Sequence, residues 1–219
     1  MRFGKFELAS LALVLSSFAA VAILYQRLPD IVPVHWGLSG EANRFAPKPW
    51  GPFIGPIMSA ALFTIFLTLP YISPKGFRIE PFSRVYRIIQ LTVQIFLFVL
   101  LLAQLLTGIG FAVPIRRVAM ASTGVFIIVL GNLMGKVRRN FFVGIRTPWT
   151  LGNDEVWSRT HRLGGWLMVL GGFVFAMAGL MGRGFLIGVA ALGSAAILPV
   201  IYSYIVSRQI QRSEFHTRQ

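Results

Sequence analysis

GNLMGKVRRNFFVGIRTPWTLGNDEVWSRTHRLGG, residues 131–165, is the stretch whose reading decides the fold. It gathers Lys136, Arg138, Arg139, Arg146, Arg159 and Arg162, the acids Asp154 and Glu155, and the tryptophans Trp149 and Trp157. Long apolar runs stand on both sides of it. A cationic segment pinned between such runs has to meet water at a membrane surface, because charge inside hydrocarbon is expensive. The rest of the 219 residues agrees: 55% are hydrophobic and 13% charged, with a mean hydropathy of +0.70. A soluble domain could not hide that much apolar surface.

Working outward, six runs are long enough to cross a bilayer, which takes about twenty apolar residues. They are 8–25, 53–72, 88–107, 118–134, 163–181 and 185–206, the fourth being short. Arg2 and Lys5 precede the first run, as in a signal peptide. Tyr25, Gln26 and Arg27 follow it in place of the small residues a cleavage site needs, so it reads as an uncleaved helix. The fold class is therefore all-α: a polytopic membrane protein with six transmembrane helices and a small extracellular hairpin-like loop. Two regions of three spans each are expected, residues 1–110 with the outer loop 26–51, and residues 111–219 with the cytoplasmic motif 131–165.

Charge gives the orientation. Arg2, Lys5, Lys75, Arg78, Arg84, Arg87, the six cations of the central stretch, Arg208, Arg212 and Arg218 fall on one side, fifteen of the 21 Lys and Arg. Arg27, Arg44, Lys48, Arg116, Arg117 and Arg183 fall on the other. The larger set marks the cytoplasm and places both termini there. The net charge of +14 is then explained by basic loops that set topology and meet anionic lipid, and no direct nucleic-acid contact is expected. With no cysteine there is neither a disulfide framework nor thiolate chemistry.

The outer loop has internal structure. Val32, Val34 and Trp36 alternate with Pro33 and His35, which suits a strand. Ser39-Gly40 marks a turn and Ala42 to Phe45 suit a returning strand, so a hairpin is expected over the outer membrane surface, with Trp36 and Trp50 at headgroup level. His35, with Asp30 and Glu41 nearby, could ligate a metal or could be an ordinary hairpin histidine.

The spans lack the marks of catalysis or ion coupling. All seven acids lie outside the runs, and no serine elbow, HExxH or metal-ligand cluster is present. No enzyme activity, cofactor, catalytic residue or metal site is expected. In the third run Gln90, Gln94 and Gln104 fall on one face, either as hydrogen-bonding glue between helices or as a polar groove for a substrate. Gly165, Gly172 and Gly179 recur every seven residues, which allows a close helix neighbour. No internal repeat supports a transporter built from two similar halves.

Within the central stretch, Asn153 can cap a helix that begins with Asp154 and Glu155 and continues into the fifth run. Asn153, Trp157, Thr160, His161 and Gly164 then share a face. Trp149 and Trp157 suit an aromatic belt, and Arg138, Arg139, Arg159 and Arg162 suit lipid headgroups. That simple connector leaves unexplained the crowding of Asn132, Asn140, Gly144, Thr147, Pro148, Asn153, Thr160 and His161. A folded unit is the expected alternative. In it, Gly144 adopts a conformation that side chains disfavour, Pro148 keeps Thr147 extended and stops any helix, and Arg146 enters a buried network of loop carbonyls.

These residues carry a resemblance. Gly131-Asn132-Leu133-Met134-Gly135-Lys136, Asn140, Gly144-Ile145-Arg146-Thr147-Pro148-Trp149-Thr150-Leu151, Val156-Trp157 and Thr160-His161-Arg162 look like the hallmark of the SdpI family of bacterial membrane proteins. Leu28-Pro29-Asp30, Val32-Pro33, His35-Trp36, Gly40 and Lys48 resemble the short domain of unknown function that precedes the SdpI region in longer members. The resemblance implies a six-span immunity protein in the bacterial cytoplasmic membrane, its best-known relative protecting against a secreted peptide toxin. It also implies a receptor role in which a cytoplasmic repressor is captured at the membrane. On that basis the binding residues for a ligand or partner are Asn132, Lys136, Asn140, Gly144, Arg146, Thr147, Pro148, Trp149, Trp157, Thr160 and His161 inside, and His35, Trp36, Gly40 and Lys48 outside. The partners are the bilayer, a peptide toxin and a repressor. The alternative function is a transporter or permease for an amphiphilic molecule, using the glutamine stripe.

Overall fold

Among the described residues, six helices are long and apolar enough to cross a membrane. The structure is a computed structural model that describes the backbone of residues 4–217 and the side chains as far as Ser213. Arg2, Arg218 and the side chains of Glu214 and His216 lie outside the described residues. In order, the elements are α1 (Lys5–Leu24), β1 (Ile31–Trp36), β2 (Ala42–Pro47), α2 (Ile54–Thr68), α3 (Ser83–Gly108), α4 (Ile115–Met134), the short α5 (Pro148–Gly152), α6 (Asp154–Met181) and α7 (Phe185–Thr217). The chain is a polytopic, mostly helical membrane protein with one two-stranded hairpin.

The helices are dressed for lipid. In α1 the buried face is Glu7, Ser10, Val14, Ser17 and Val21, a stripe of small or polar side chains turned toward the protein. Leu8, Leu15 and Ile23 are exposed. Polar groups inside and bulky apolar groups outside is the arrangement that hydrocarbon solvent selects.

α1 starts earlier than its apolar run. Glu7, expected outside the spans, lies in the first turn of the helix and is 3% exposed. Its carboxylate accepts from the Gly4 amide at 2.9 Å, which answers one of the free donors at a helix start. Its other oxygen pairs with Arg87 at 2.9 Å. α3 likewise begins at Ser83, ahead of its apolar run, and that extra turn delivers Arg87 to the acid.

Proline ends α2 at Thr68, short of the expected 72. Pro70 has no N–H to give the carbonyl of Phe66, four residues back. The Tyr86 hydroxyl on α3 donates to that carbonyl at 2.7 Å, so a group freed by the proline becomes a link between α2 and α3. The glutamines also link elements. Gln94 receives the Ser59 hydroxyl and donates to the Ser59 carbonyl at 3.2 Å, while Gln104 donates to the Pro33 carbonyl at 3.2 Å.

α4 and α6 pack backbone to backbone. A Cβ placed on Gly131 would meet the Gly165 carbonyl at 2.7 Å, and one on Gly165 would meet the Gly131 carbonyl at 2.6 Å. Gly124 and Gly172 face each other in the same way, and Gly179 lies against Met120. The seven-residue glycine spacing is thus the register of an antiparallel helix pair. α4 begins at Ile115, three residues before the expected 118, because Pro114 stands at its N-cap.

β1 and β2 pair antiparallel, with Val32 opposite Ala46, His35 opposite Arg44 and Trp36 opposite Ala42, and with irregular register on both sides of His35. Gly40, at the turn, has φ +89 and sits against Arg116 at the start of α4. The hairpin therefore lies on the ends of α3 and α4. On the opposite face, Phe77 from the α2–α3 connection meets Phe141 of the central stretch, with ring centroids 4.3 Å apart.

Candidate functional site

The chain leaves α4 at Met134 and folds back before it enters α6. Asn140 organises the first bend. Its side-chain oxygen accepts from the amides of Phe142 at 2.8 Å and Val143 at 2.7 Å. Its amide donates to the carbonyls of Arg138 at 2.8 Å and Val143 at 3.0 Å. The side chain is 0% exposed, with its hydrogen-bonding capacity spent inside one turn.

His161 holds the second bend. The Ile145 amide donates to its Nε2 at 2.9 Å. An N–H aimed at Nε2 requires that nitrogen to accept, so Nδ1 carries the proton and donates to the Trp157 carbonyl, 2.8 Å away. The imidazole is thus neutral and stacks on the Trp157 ring, centroids 3.9 Å apart. Trp157 donates its indole N–H to the Val137 carbonyl at 2.8 Å. Gly144 has φ +118, and a Cβ there would overlap the His161 ring. Glycine is required at this position both for its backbone conformation and for the space.

α5 docks the loop onto the helices. Thr147 is extended and caps α5, and Pro148 occupies its first turn. The Thr150 hydroxyl donates to the Ile145 carbonyl at 2.8 Å and accepts the Thr147 amide at 2.8 Å. Trp149 donates to the Ser203 hydroxyl of α7 at 2.6 Å and meets Tyr204 edge-on. Asn153 then caps α6, accepting the amides of Glu155 and Val156. Beneath the loop lies an apolar cluster of Ile79, Phe82, Tyr86, Ile89, Val137 and Trp157.

Several sequence expectations change. Trp157 is 3% exposed and does not serve as a belt residue, because its ring is the floor on which His161 stacks. Pro148 opens a short helix where a stop was expected, since a missing N–H costs nothing in a first turn. Arg146 is exposed and its guanidinium donates to the Phe141 carbonyl, so it joins no buried network. The inward cation is Arg139, expected to face headgroups. It donates to the Leu151 carbonyl at 2.7 Å and pairs with Asp154 at 2.8 Å.

The structure thus brings together Asn140, Gly144, Thr147, Pro148, Trp149, Trp157 and His161 as one hydrogen-bonded unit. Thr160 is fully buried beside them. Asn132 and Lys136 are exposed and outside the network. On the hairpin, His35 is exposed with its Nδ1 2.6 Å from the side-chain oxygen of Asn43. Trp36 is half-buried. Lys48 has its ammonium 5.0 Å from the Tyr25 ring centroid. Among the described residues no group of three or more His, Asp or Glu could hold a metal. Arg139, Thr150 and Ser203 were missed by sequence reasoning. The Thr147-x-x-Thr150 spacing is a capping-box signal that could have found Thr150, whereas Arg139 and Ser203 have no local signal.

Comparison with known proteins covers both motifs. The SdpI/YfhL protein family matches residues 136–203, and the Domain of unknown function (DUF1648) matches residues 12–60. Immunity protein SdpI of Bacillus subtilis (strain 168) is 30% identical over 173 residues, which cover 79% of this chain and 81% of that protein. No solved structure matches the chain.

Proposed function

The chain belongs to the SdpI/YfhL protein family, and from that membership we propose that it is an integral membrane immunity protein protecting against a secreted antimicrobial peptide toxin. The observation that carries this reading is the identity to Immunity protein SdpI along most of both chains. In this account the termini are cytoplasmic, the hairpin is outside, and the membrane is the bacterial cytoplasmic membrane, in keeping with the cation excess on the other face. The toxin meets the hairpin, where exposed His35 and half-buried Trp36 stand on a strand fixed to the bundle. A receptor role is part of the proposal: a cytoplasmic repressor docks on the outer surface of the central stretch, where Arg146 and Pro148 are exposed. Residues 1–110 carry the toxin-facing hairpin and residues 111–219 the cytoplasmic unit.

Against the transporter alternative, two of the three stripe glutamines, Gln94 and Gln104, act as links between elements through Ser59 and Pro33. The test is expression in a bacterium sensitive to membrane-active peptides, followed by challenge. Survival in the presence of at least one such peptide is expected. His35→Ala with Trp36→Ala should remove that survival at unchanged membrane abundance. Equal killing with and without the protein across all peptides would contradict the immunity reading.

A further inference from the structure

A cleft of about 550 Å³ opens on the face opposite the hairpin, within the roughly 300–1,000 Å³ typical of small-molecule sites. Three segments wall it: the α2–α3 connection with Arg78, the turn after α4 with Arg138 and Arg139, and the start of α6 with Asp154, Trp157 and Ser158. The walls are fixed. Ile79, next to Arg78, is 0% exposed. Phe77 packs against Phe141 and lies under the Arg139 guanidinium, 5.4 Å from ring centroid to Cζ. Trp157 is anchored to the Val137 carbonyl.

The cations in this cleft are not equivalent. Arg139 is committed to Leu151 and Asp154, and that pair largely answers the one acid present. Arg78 and Arg138 have no side-chain partner among the described residues, and neither has the Ser158 hydroxyl. Two exposed arginines without such a partner thus line one cleft from separate segments. Three arginines lining one cleft with a single, already paired acid favour an anion there, and a guanidinium fork matches the oxygens of phosphate better than a point charge does.

We propose that this cleft binds a phosphate group, carried by an anionic phospholipid headgroup or by a free phosphate ester. Arg78 and Arg138 supply forked donors from two sides, Ser158 supplies a hydroxyl, and Arg139 adds positive field while keeping Asp154 occupied. The proposal is independent of the immunity reading. It differs from general attraction of basic loops to a membrane, because it assigns the binding to two named arginines.

The test compares full-length protein carrying Arg78→Gln with Arg138→Gln against a control of equal charge change, Arg208→Gln with Arg212→Gln. One arm titrates pyrophosphate into protein in zwitterionic detergent by calorimetry. The other counts phosphatidylglycerol retained in native mass spectra after extraction from mixed phosphatidylglycerol and phosphatidylcholine vesicles. Binding by wild type and control is expected in one arm, weakened roughly five-fold by each cleft substitution and roughly thirty-fold by both. The pyrophosphate arm identifies a soluble ester, and the lipid arm a headgroup. The proposal is overturned if wild type binds neither probe, or if cleft and control variants lose binding equally.

Discussion

Two histidines separate the two motifs of this protein. His35 stands on the hairpin, exposed, with its ring on the Asn43 side chain. His161 stands at the start of α6, fully buried, with one nitrogen on Ile145, the other on Trp157, and its ring stacked. The tryptophans divide likewise: Trp36 is half-buried on the hairpin, and Trp157 is the floor of the central stretch's fold. The same residue types therefore do opposite work. In the central stretch the unusual residues are turned on one another, so their density records how the loop folds. On the hairpin the side chains that could meet a partner face outward.

Substitutions can break this contrast, and the largest effect is expected at Gly144. Gly144→Ala places a methyl group against the His161 ring at a positive φ, at a cost of about 3 kcal/mol or more. Membrane abundance should fall sharply. His161→Ala comes next. It leaves the Ile145 amide unpaired and a void on the Trp157 ring, costing about 3 kcal/mol, measurable as a lowered unfolding midpoint in detergent. The arginines sharpen the comparison. Arg139→Ala should cost about 1–2 kcal/mol through the Leu151 carbonyl it abandons. Arg146→Ala, at an exposed site, should cost under about 1 kcal/mol. Smallest of all in stability is His35→Ala, at an exposed site, within about 0.5 kcal/mol; its effect should appear in peptide protection alone. Stability losses at the hairpin as large as those at His161 would erase the distinction.

Much of the architecture was legible because it rests on local pattern. Runs near twenty residues mark helices whatever their neighbours, and the alternation from Val32 to Trp36 with Gly40 beyond it marks a hairpin. Glycines seven apart marked a face for a close helix neighbour because that spacing keeps one helical face, while the identity of that neighbour as α4 rests on Gly124 and Gly131, which meet Gly172 and Gly165. What escaped depends on partners distant in sequence. Nothing near Tyr86 says that its hydroxyl will meet the carbonyl freed by Pro70. The six cations of residues 131–165 look alike in one dimension, and Arg139 turns inward only because Leu151 and Asp154 return beside it. Trp157 could be read as a belt residue or, on one face with Thr160 and His161, as turned toward the loop; the second holds, and the burial that decides it comes from the loop and from Ile79, Phe82 and Tyr86, which its own helix pattern does not contain. Gly144 was legible in kind, as a glycine needing an unusual conformation, while the His161 ring that enforces it lies seventeen positions away.

The central claim is that residues 131–165 form a folded unit and are more than a charged connector, and amide hydrogen exchange tests it most directly. The amides of Phe142, Val143, Ile145 and Thr147 lie outside any helix, yet each donates to a side chain: Asn140, Asn140, His161 and Thr150. They should exchange slowly, in step with the first turns of α6, and His161→Ala should release Ile145 first. Exchange of all four at the rate of an open loop, unaltered by that substitution, would contradict the account.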